Sequence, residues 1–365
     1  MIPPPRFIAR YQAPAGRPAD GFAAVSALLM RALAAGAPPA VSAAVVTSMA
    51  EVRYTGAGGW ARLPAESADP VEATGSTAFD LASLTKVVAT VPIVLLLHQR
   101  GAWSIDDQIA RWLPGAPSSP VTIRQCLTHT AGLVPHRPFY EVRGTVAGIR
   151  EAVVAELAGA AGGPVNYSDL GYMLLGWAIE NCAGDSLDAV AGREIFGPLG
   201  MLSTSFRPSV RRTWVAATEQ SAQGRGGLIW GEVHDGNAYA LGGVSGHAGV
   251  FSTAADLGRF AIALLRPGSH PVLSAPSIEL MTSGQAVSGA DVRGLGWRLG
   301  STSGWGEWPD GTIWHTGFTG TSLLVAPSLG VGAVLLTNAV HPARRRPAEI
   351  TELRAGFHAL VLAAL

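Results

Sequence analysis

Apolar residues recur at helical spacing across residues 20–35, with Asp20 placed as an N-cap. Residues 41–48 change the period: they are small and β-branched, as a buried strand requires. Residues 51–54 and 60–63 continue as a meander. Thr77-Ala78-Phe79 then leads into a helical pattern over 85–100 that Gly101 stops. The middle of the chain reads differently. Short helices over 105–112, 123–127, 146–158, 170–181 and 186–196 are joined by Pro- and Gly-rich loops. Residues 224–249 are polar and glycine-rich, a loop expected to line something. A helix over 256–265 follows, then strands over 295–299, 312–316, 321–325 and 331–337. Residues 347–365 close the chain as an amphipathic helix. Strands at both ends around a helical middle predict an α+β fold: one antiparallel sheet built from both termini, flanked by helices, with a helical insertion. The matching division places residues 1–104 and 286–365 in a sheet domain and 105–285 in a helical, loop-rich region. The active site is expected between them.

Composition trims the possibilities. Charged residues are 14% of the chain and mean hydropathy is +0.27, which suits a packed globular enzyme and not a disordered one. Net charge is zero and the densest basic cluster is Arg344-Arg345-Arg346, so nucleic-acid binding has no electrostatic footprint. Cys126 and Cys182 make neither a metal pattern nor a disulfide framework, and are expected as buried free thiols. The longest apolar run, 87–97, contains Pro92 and is too short to span a membrane. The opening residues lack the apolar core of a secretory signal, so the chain as given reads as cytoplasmic.

One residue changes the picture more. Of 26 basic side chains, 25 are arginine and the remaining one is Lys86, three places after Ser83. Lysine can lose its proton when desolvated, and arginine cannot. Positions i and i+3 share a helix face, so the Ser83 hydroxyl can meet the Lys86 amine. A helix start near Ser83 also offers free backbone N–H groups to a developing oxyanion. Rival schemes lack support: there is no Gly-x-Ser-x-Gly, and no histidine is tied by motif to a serine.

Further motifs extend this one. Leu127-Thr128-His129-Thr130-Ala131-Gly132-Leu133 comes next, then Asn166-Tyr167-Ser168-Asp169-Leu170-Gly171-Tyr172, then Trp314-His315-Thr316-Gly317-Phe318-Thr319-Gly320-Thr321-Ser322. In order and spacing the chain resembles the class C β-lactamase and penicillin-binding-protein superfamily of serine hydrolases, in its esterase, D-peptidase and transacylase branches. The resemblance runs over roughly residues 20–360. It implies Ser83 as the acylated nucleophile and Lys86 as its base, or as the group that keeps the base reactive. It implies that Tyr167 shares the proton work, its phenol pKa lowered by the positive charge beside it. The backbone N–H groups of Ser83 and Phe318 would form the oxyanion hole, and the His315-Thr316-Gly317 edge would pair with substrate. His129 is expected to brace a loop beside the site, and it and His247 to border the substrate.

Two departures from the family pattern bear on the substrate. Asp169 stands where much of the family has asparagine; a carboxylate only accepts, so Asp169 either pairs with Lys86 or recognises a substrate amine. His315 replaces the lysine of Lys-Thr-Gly and attracts a carboxylate far less. Together they argue for ester, amide or D-amino-acid peptide substrates and weak or no β-lactamase activity. A hydrolase, an acyltransferase passing the acyl group to an amine or alcohol, and a catalytically silent binding protein are the three readings. The His234-Asp235 pair and His247 have no further ligand spaced for a metal, and no cofactor is implied.

Overall fold

The computed structural model describes residues 6–12, 21–64, 69–142, 144–208, 214–270, 272–289, 291–300, 304–344 and 347–365. The proposed cap Asp20, and Arg345 and Arg346, lie outside the described residues.

The strands are β1 (Phe7–Tyr11), β2 (Ala40–Thr47), β3 (Val52–Arg62), β4 (Val71–Glu72), β5 (Phe79–Asp80), β6 (Ser205–Phe206), β7 (Val250–Ser252), β8 (Ala286–Ser288), β9 (Asp291–Arg293), β10 (Arg298–Leu299), β11 (Ile313–Thr316), β12 (Ser322–Ala326) and β13 (Val331–Thr337). The α-helices are α1 (Ala23–Ala34), α2 (Val91–Gln99), α3 (Ile123–Leu127), α4 (Phe139–Val142), α5 (Val146–Ala155), α6 (Asp169–Ala183), α7 (Leu187–Ala191), α8 (Gly236–Ala240), α9 (Ala254–Leu265), α10 (Ala275–Thr282) and α11 (Pro347–Ala364). One antiparallel sheet runs β1-β3-β2-β13-β12-β11-β10-β9-β8, with β4 on β3. Its middle is the β2–β13 pair, Val41 opposite Thr337 through Thr47 opposite Val331, so the two chain ends join at the centre. A small second sheet, β5-β7-β6, carries the start of the site.

The period-2 alternation of β13 explains the layers. Val331, Ala333 and Leu335 face a core shared with Phe22, Val25 and Leu29 of the first helical segment and Leu353, Phe357 and Val361 of α11. Val334 and Leu336 face the larger core, which holds Leu257 and Phe260 of α9 and the buried lengths of α2 and α6. Helices therefore cover both faces of the sheet, the α+β sandwich expected from the pattern. Trp297, Trp305 and Trp308 are buried within it.

Several elements differ from the sequence reading. The separate strands at 51–54 and 60–63 are one strand, β3, because Gly58 and Gly59 do not interrupt it. A Cβ at Gly58 would strike the passing Arg6–Phe7 backbone, and Gly59 takes φ +91° beside the Pro39 carbonyl. The expected helix over 105–112 is only a 3₁₀ turn, Ile109–Trp112. Short strands β1, β8 and β9 were not expected; strands of three to five residues at or next to the sheet's edges carry too little periodicity to stand out. Cys126 is a buried free thiol, while Cys182 is only half-buried. Among the described residues, no helix is long and apolar enough to cross a membrane.

Candidate active site

Ser83 leaves β5 on a strained turn. Ala82, just before it, holds φ +48°, a left-handed backbone that alanine adopts only under constraint. The constraint is Asp80, whose carboxylate accepts the Ala82 N–H at 2.8 Å and the His234 N–H at 2.7 Å. The chain then enters a wide π-helical turn, Lys86–Thr90, before α2. This turn brings Lys86 Nζ to 3.1 Å from Ser83 Oγ.

Lys86 is wholly buried, and its three N–H donors all have acceptors. Nζ donates to Ser83 Oγ, to Asp169 Oδ1 at 2.8 Å and to the His247 carbonyl at 3.1 Å. Burial disfavours the charge, but the Asp169 carboxylate and the Tyr167 phenol outweigh it and raise Lys86 above the ordinary lysine range. Asp169 shows the reciprocal effect. Burial pushes its pKa up, yet Lys86 and the His136 imidazole, with Nδ1 at 3.6 Å from Oδ2, hold it well below the usual carboxylate range. At neutral pH the pair is ammonium and carboxylate.

The Leu-Thr-His-Thr-x-Gly-Leu segment holds the second motif in place. His129, at φ +60°, accepts the Ser168 N–H on Nδ1 at 3.1 Å, and its carbonyl accepts the Asn166 N–H at 2.8 Å. Asn166 Nδ2 donates to the Leu133 carbonyl, and Tyr172 Oη donates to the Leu127 carbonyl at 2.9 Å. The His129 ring packs against Tyr167, centroids 4.4 Å apart. Burial, then the charges of Arg293 and Lys86, keep His129 neutral.

The third motif forms the facing wall. His315 is buried on β11, and burial with the Lys86 and Arg293 charges holds it neutral. Gly317 lies against the nucleophile loop, where a Cβ would strike the Leu81 carbonyl. Thr319 Oγ1 donates to the Asp80 carbonyl at 2.7 Å and Thr321 Oγ1 to the Leu81 carbonyl at 3.1 Å. These two hydroxyls tie the turn that carries Phe318 to the loop that carries Ser83. Neither the Ser83 N–H nor the Phe318 N–H bonds to a described backbone carbonyl, which leaves both open to an incoming oxygen.

A cleft of about 400 Å³ opens between these walls, lined by Ser83, Tyr167, His315, Thr316, Gly317 and Phe318. The ring of Phe318 is half-exposed at its rim, stacked near His234. Asp169, His129 and His247 stand behind this surface. The His247 ring is buried, hydrogen-bonded to Asp235 Oδ1 and Ser245 Oγ at 2.8 Å each, and meets the site through its carbonyl on Lys86. Sequence reasoning missed the arginines of the cleft: Arg293, Arg298, Arg344 and Arg354. Arg293 donates to Asp291 Oδ2 at 2.9 Å and lies 5.8 Å from the Tyr167 ring centre. Arg298 and Arg344 lie over the Trp314 and Phe318 rings. These arginines follow no spacing rule relative to the motifs; only their convergence in space marks them. Asp80, Thr319 and Thr321 were within reach of reading, since they flank the motifs directly.

Chemically, the site pairs a serine hydroxyl with a fixed ammonium, a phenol and two free N–H groups. Such a set suits nucleophilic attack on a carbonyl and stabilisation of the oxyanion. The fold is shared with solved structures. EstCE1, "a hydrolase with promiscuous acyltransferase activity", is 22% identical with a TM-score of 0.74, over 92% of this chain and 98% of that one. Simvastatin synthase (LovD) from Aspergillus terreus is 19% identical with a TM-score of 0.72, over 95% and 99%. In sequence, an Escherichia coli K12 protein described as "Putative D-alanyl-D-alanine carboxypeptidase" is 32% identical over 312 residues, 74% of this chain and 71% of its own. A sequence profile of the Beta-lactamase family matches residues 25–356, and the chain belongs to that family of serine hydrolases and acyltransferases.

Proposed function

We propose that the chain is a serine hydrolase that forms an acyl-Ser83 intermediate with an ester, an amide or a D-amino-acid peptide. The observation that carries this is the Ser83–Lys86–Asp169 line, 3.1 Å and then 2.8 Å, ending beside Tyr167 in a cleft. Because Lys86 is held as the ammonium, it orients Ser83 and does not take its proton. Tyr167 Oη is then the acceptor, acting as the phenolate, its charge balanced by the Lys86 ammonium 5.1 Å from the ring centre. Ser83 Oγ attacks the acyl carbon as its proton passes to Tyr167, which returns it to the leaving group. Water reverses the sequence in the second half. Ser83 N–H and Phe318 N–H hold the oxyanion. The nucleophile and third motif would come from the sheet part, residues 1–104 and 286–365, and Tyr167 and Asp169 from the helical part, residues 105–285.

Asp169 is engaged with Lys86, so it serves as counter-ion and not as a donor to a substrate carbonyl. With neutral His315 in the third motif, β-lactam turnover is expected to be weak. The Escherichia coli relative's name points to D-alanyl peptides, and the names of EstCE1 and LovD support a second reading, transfer of the acyl group to an amine or alcohol. Mass spectrometry after treatment with a fluorophosphonate decides the nucleophile: one adduct on Ser83, absent in Ser83→Ala, is expected. An adduct that persists in Ser83→Ala sinks the reading. Products of a p-nitrophenyl ester with and without added amine then separate hydrolysis from transfer.

A further inference from the structure

Arg354 is a half-buried cation on α11 that lines the cleft with Ser83 and Phe318, and no carboxylate among the described residues forms an ion pair with it. Keeping an uncompensated charge out of water is costly unless its donors are well used. Its partners are two carbonyls of the β11–β12 turn: Nη2–H donates to Gly317 O, and Nε–H donates to Gly320 O at 3.1 Å. The Gly317 oxygen also accepts the Gly320 N–H at 3.1 Å.

The Gly317 carbonyl and the Phe318 N–H are the two ends of one planar, conjugated peptide unit. Two donors on the oxygen, one of them cationic, draw electron density along that unit and make the N–H a stronger donor. Hydrogen bonds in chains reinforce one another in this way, and charge-assisted ones most. We infer that Arg354 is a positioning residue: through the Gly317 carbonyl it polarises the Phe318 N–H and fixes its aim at the acyl oxygen. This rests on the reading of Ser83 as the acylated nucleophile and Phe318 N–H as an oxyanion donor. In a chain whose third motif carries a neutral histidine, a fixed cation then acts on the oxyanion through a peptide group and never touches the substrate.

The test uses p-nitrophenyl butyrate, an uncharged ester, with the full chain. Arg354→Met should lower kcat roughly tenfold or more while KM moves less than about threefold, part of what removal of a whole oxyanion donor costs. In infrared difference spectra with a ¹³C-labelled acyl group, the acyl-Ser83 carbonyl stretch should move to higher wavenumber, because a weaker donor polarises it less. Arg354→Lys, able to reach one carbonyl, should recover part of both effects. An unchanged stretch and kcat in folded Arg354→Met overturn the inference. A defect confined to anionic esters overturns it too, since that is the mark of an arginine that binds substrate. If Arg354→Met does not fold, Arg354→Lys decides: wild-type kcat and stretch there overturn it. A wild-type enzyme with no acyl-Ser83 overturns the nucleophile reading and this inference with it, whereas a wild-type adduct with an unshifted variant spectrum overturns this inference alone.

Discussion

Lys86 Nζ and Asp169 Oδ1 are 2.8 Å apart, and the lysine side chain has no solvent exposure. The pair is a buried ion pair in which each charge suppresses the cost of the other. Asp169→Ala leaves the ammonium buried alone, and a loss of about 3–5 kcal/mol in unfolding free energy is expected. Asp169→Asn keeps an acceptor, so it should cost less and still fold. Denaturant titration of the two variants checks the order; equal losses contradict it.

The same asparagine variant tests how Lys86 works. Without the carboxylate, burial dominates and lowers the Lys86 pKa. If the ammonium is the working form, activity should disappear on the alkaline side at a lower pH than in the wild type. A pH–rate profile with an unmoved alkaline limb contradicts that role.

Lys86→Arg keeps the charge and loses the shape. A planar guanidinium cannot place three donors on Ser83 Oγ, Asp169 Oδ1 and the His247 carbonyl, and the extra volume overpacks the slot by about 1–3 kcal/mol. Ester turnover should fall at least about a hundredfold while the fold survives. Turnover like the wild type's would contradict the mechanism. Because Lys86 is buried, an amine-acylating reagent should leave it unmodified in the native protein and acylate it in denaturant, as peptide mass mapping will show.

Thr319 and Thr321 hold the two halves of the oxyanion site together. Thr319→Val keeps the shape and strands the Asp80 carbonyl, a cost of about 1–3 kcal/mol, whereas Thr321→Val leaves the Leu81 carbonyl its second donor, the Leu84 N–H, and should cost less. The kinetic loss should appear in kcat more than in KM, because the turn loosens and the pocket remains. A pure KM effect argues against this link.

Buried neutral histidines make the protein acid-sensitive. Burial, then the Arg354 charge, pushes His358 down to about 3, and His129 and His315 also lie well below the ordinary value. Each folded pKa is depressed, so the unfolded chain binds more protons below about pH 6.5 and stability falls as pH drops. Each such histidine should contribute a slope of about 1.4 kcal/mol per pH unit between roughly 6.5 and its folded pKa. His358→Gln should flatten the stability–pH curve measured by urea unfolding; an unchanged slope would show that His358 does not titrate this way.

The central strands were legible because β2 and β13 are buried on both faces and read as continuous runs of small, β-branched and aliphatic residues. Ser83, Lys86, Tyr167 and the His315–Gly317 edge were legible because each sits in a contiguous motif whose spacing a helix or strand converts directly into proximity. Single-lysine composition pointed to Lys86 before any neighbour was known. What the tertiary structure alone decided is the state of those groups. That Lys86 is charged depends on Asp169, 83 residues away, and that His315 is neutral depends on its burial on β11 and on the Lys86 and Arg293 charges near it. Arg293, Arg298, Arg344 and Arg354 enter the cleft from β9, β10, the loop before α11 and α11 itself. No local period relates these positions to Ser83; only the folding of both chain ends into one sheet brings them there. Sequence patterns encode local geometry, while electrostatics depends on desolvation and on charges brought close by the chain's return.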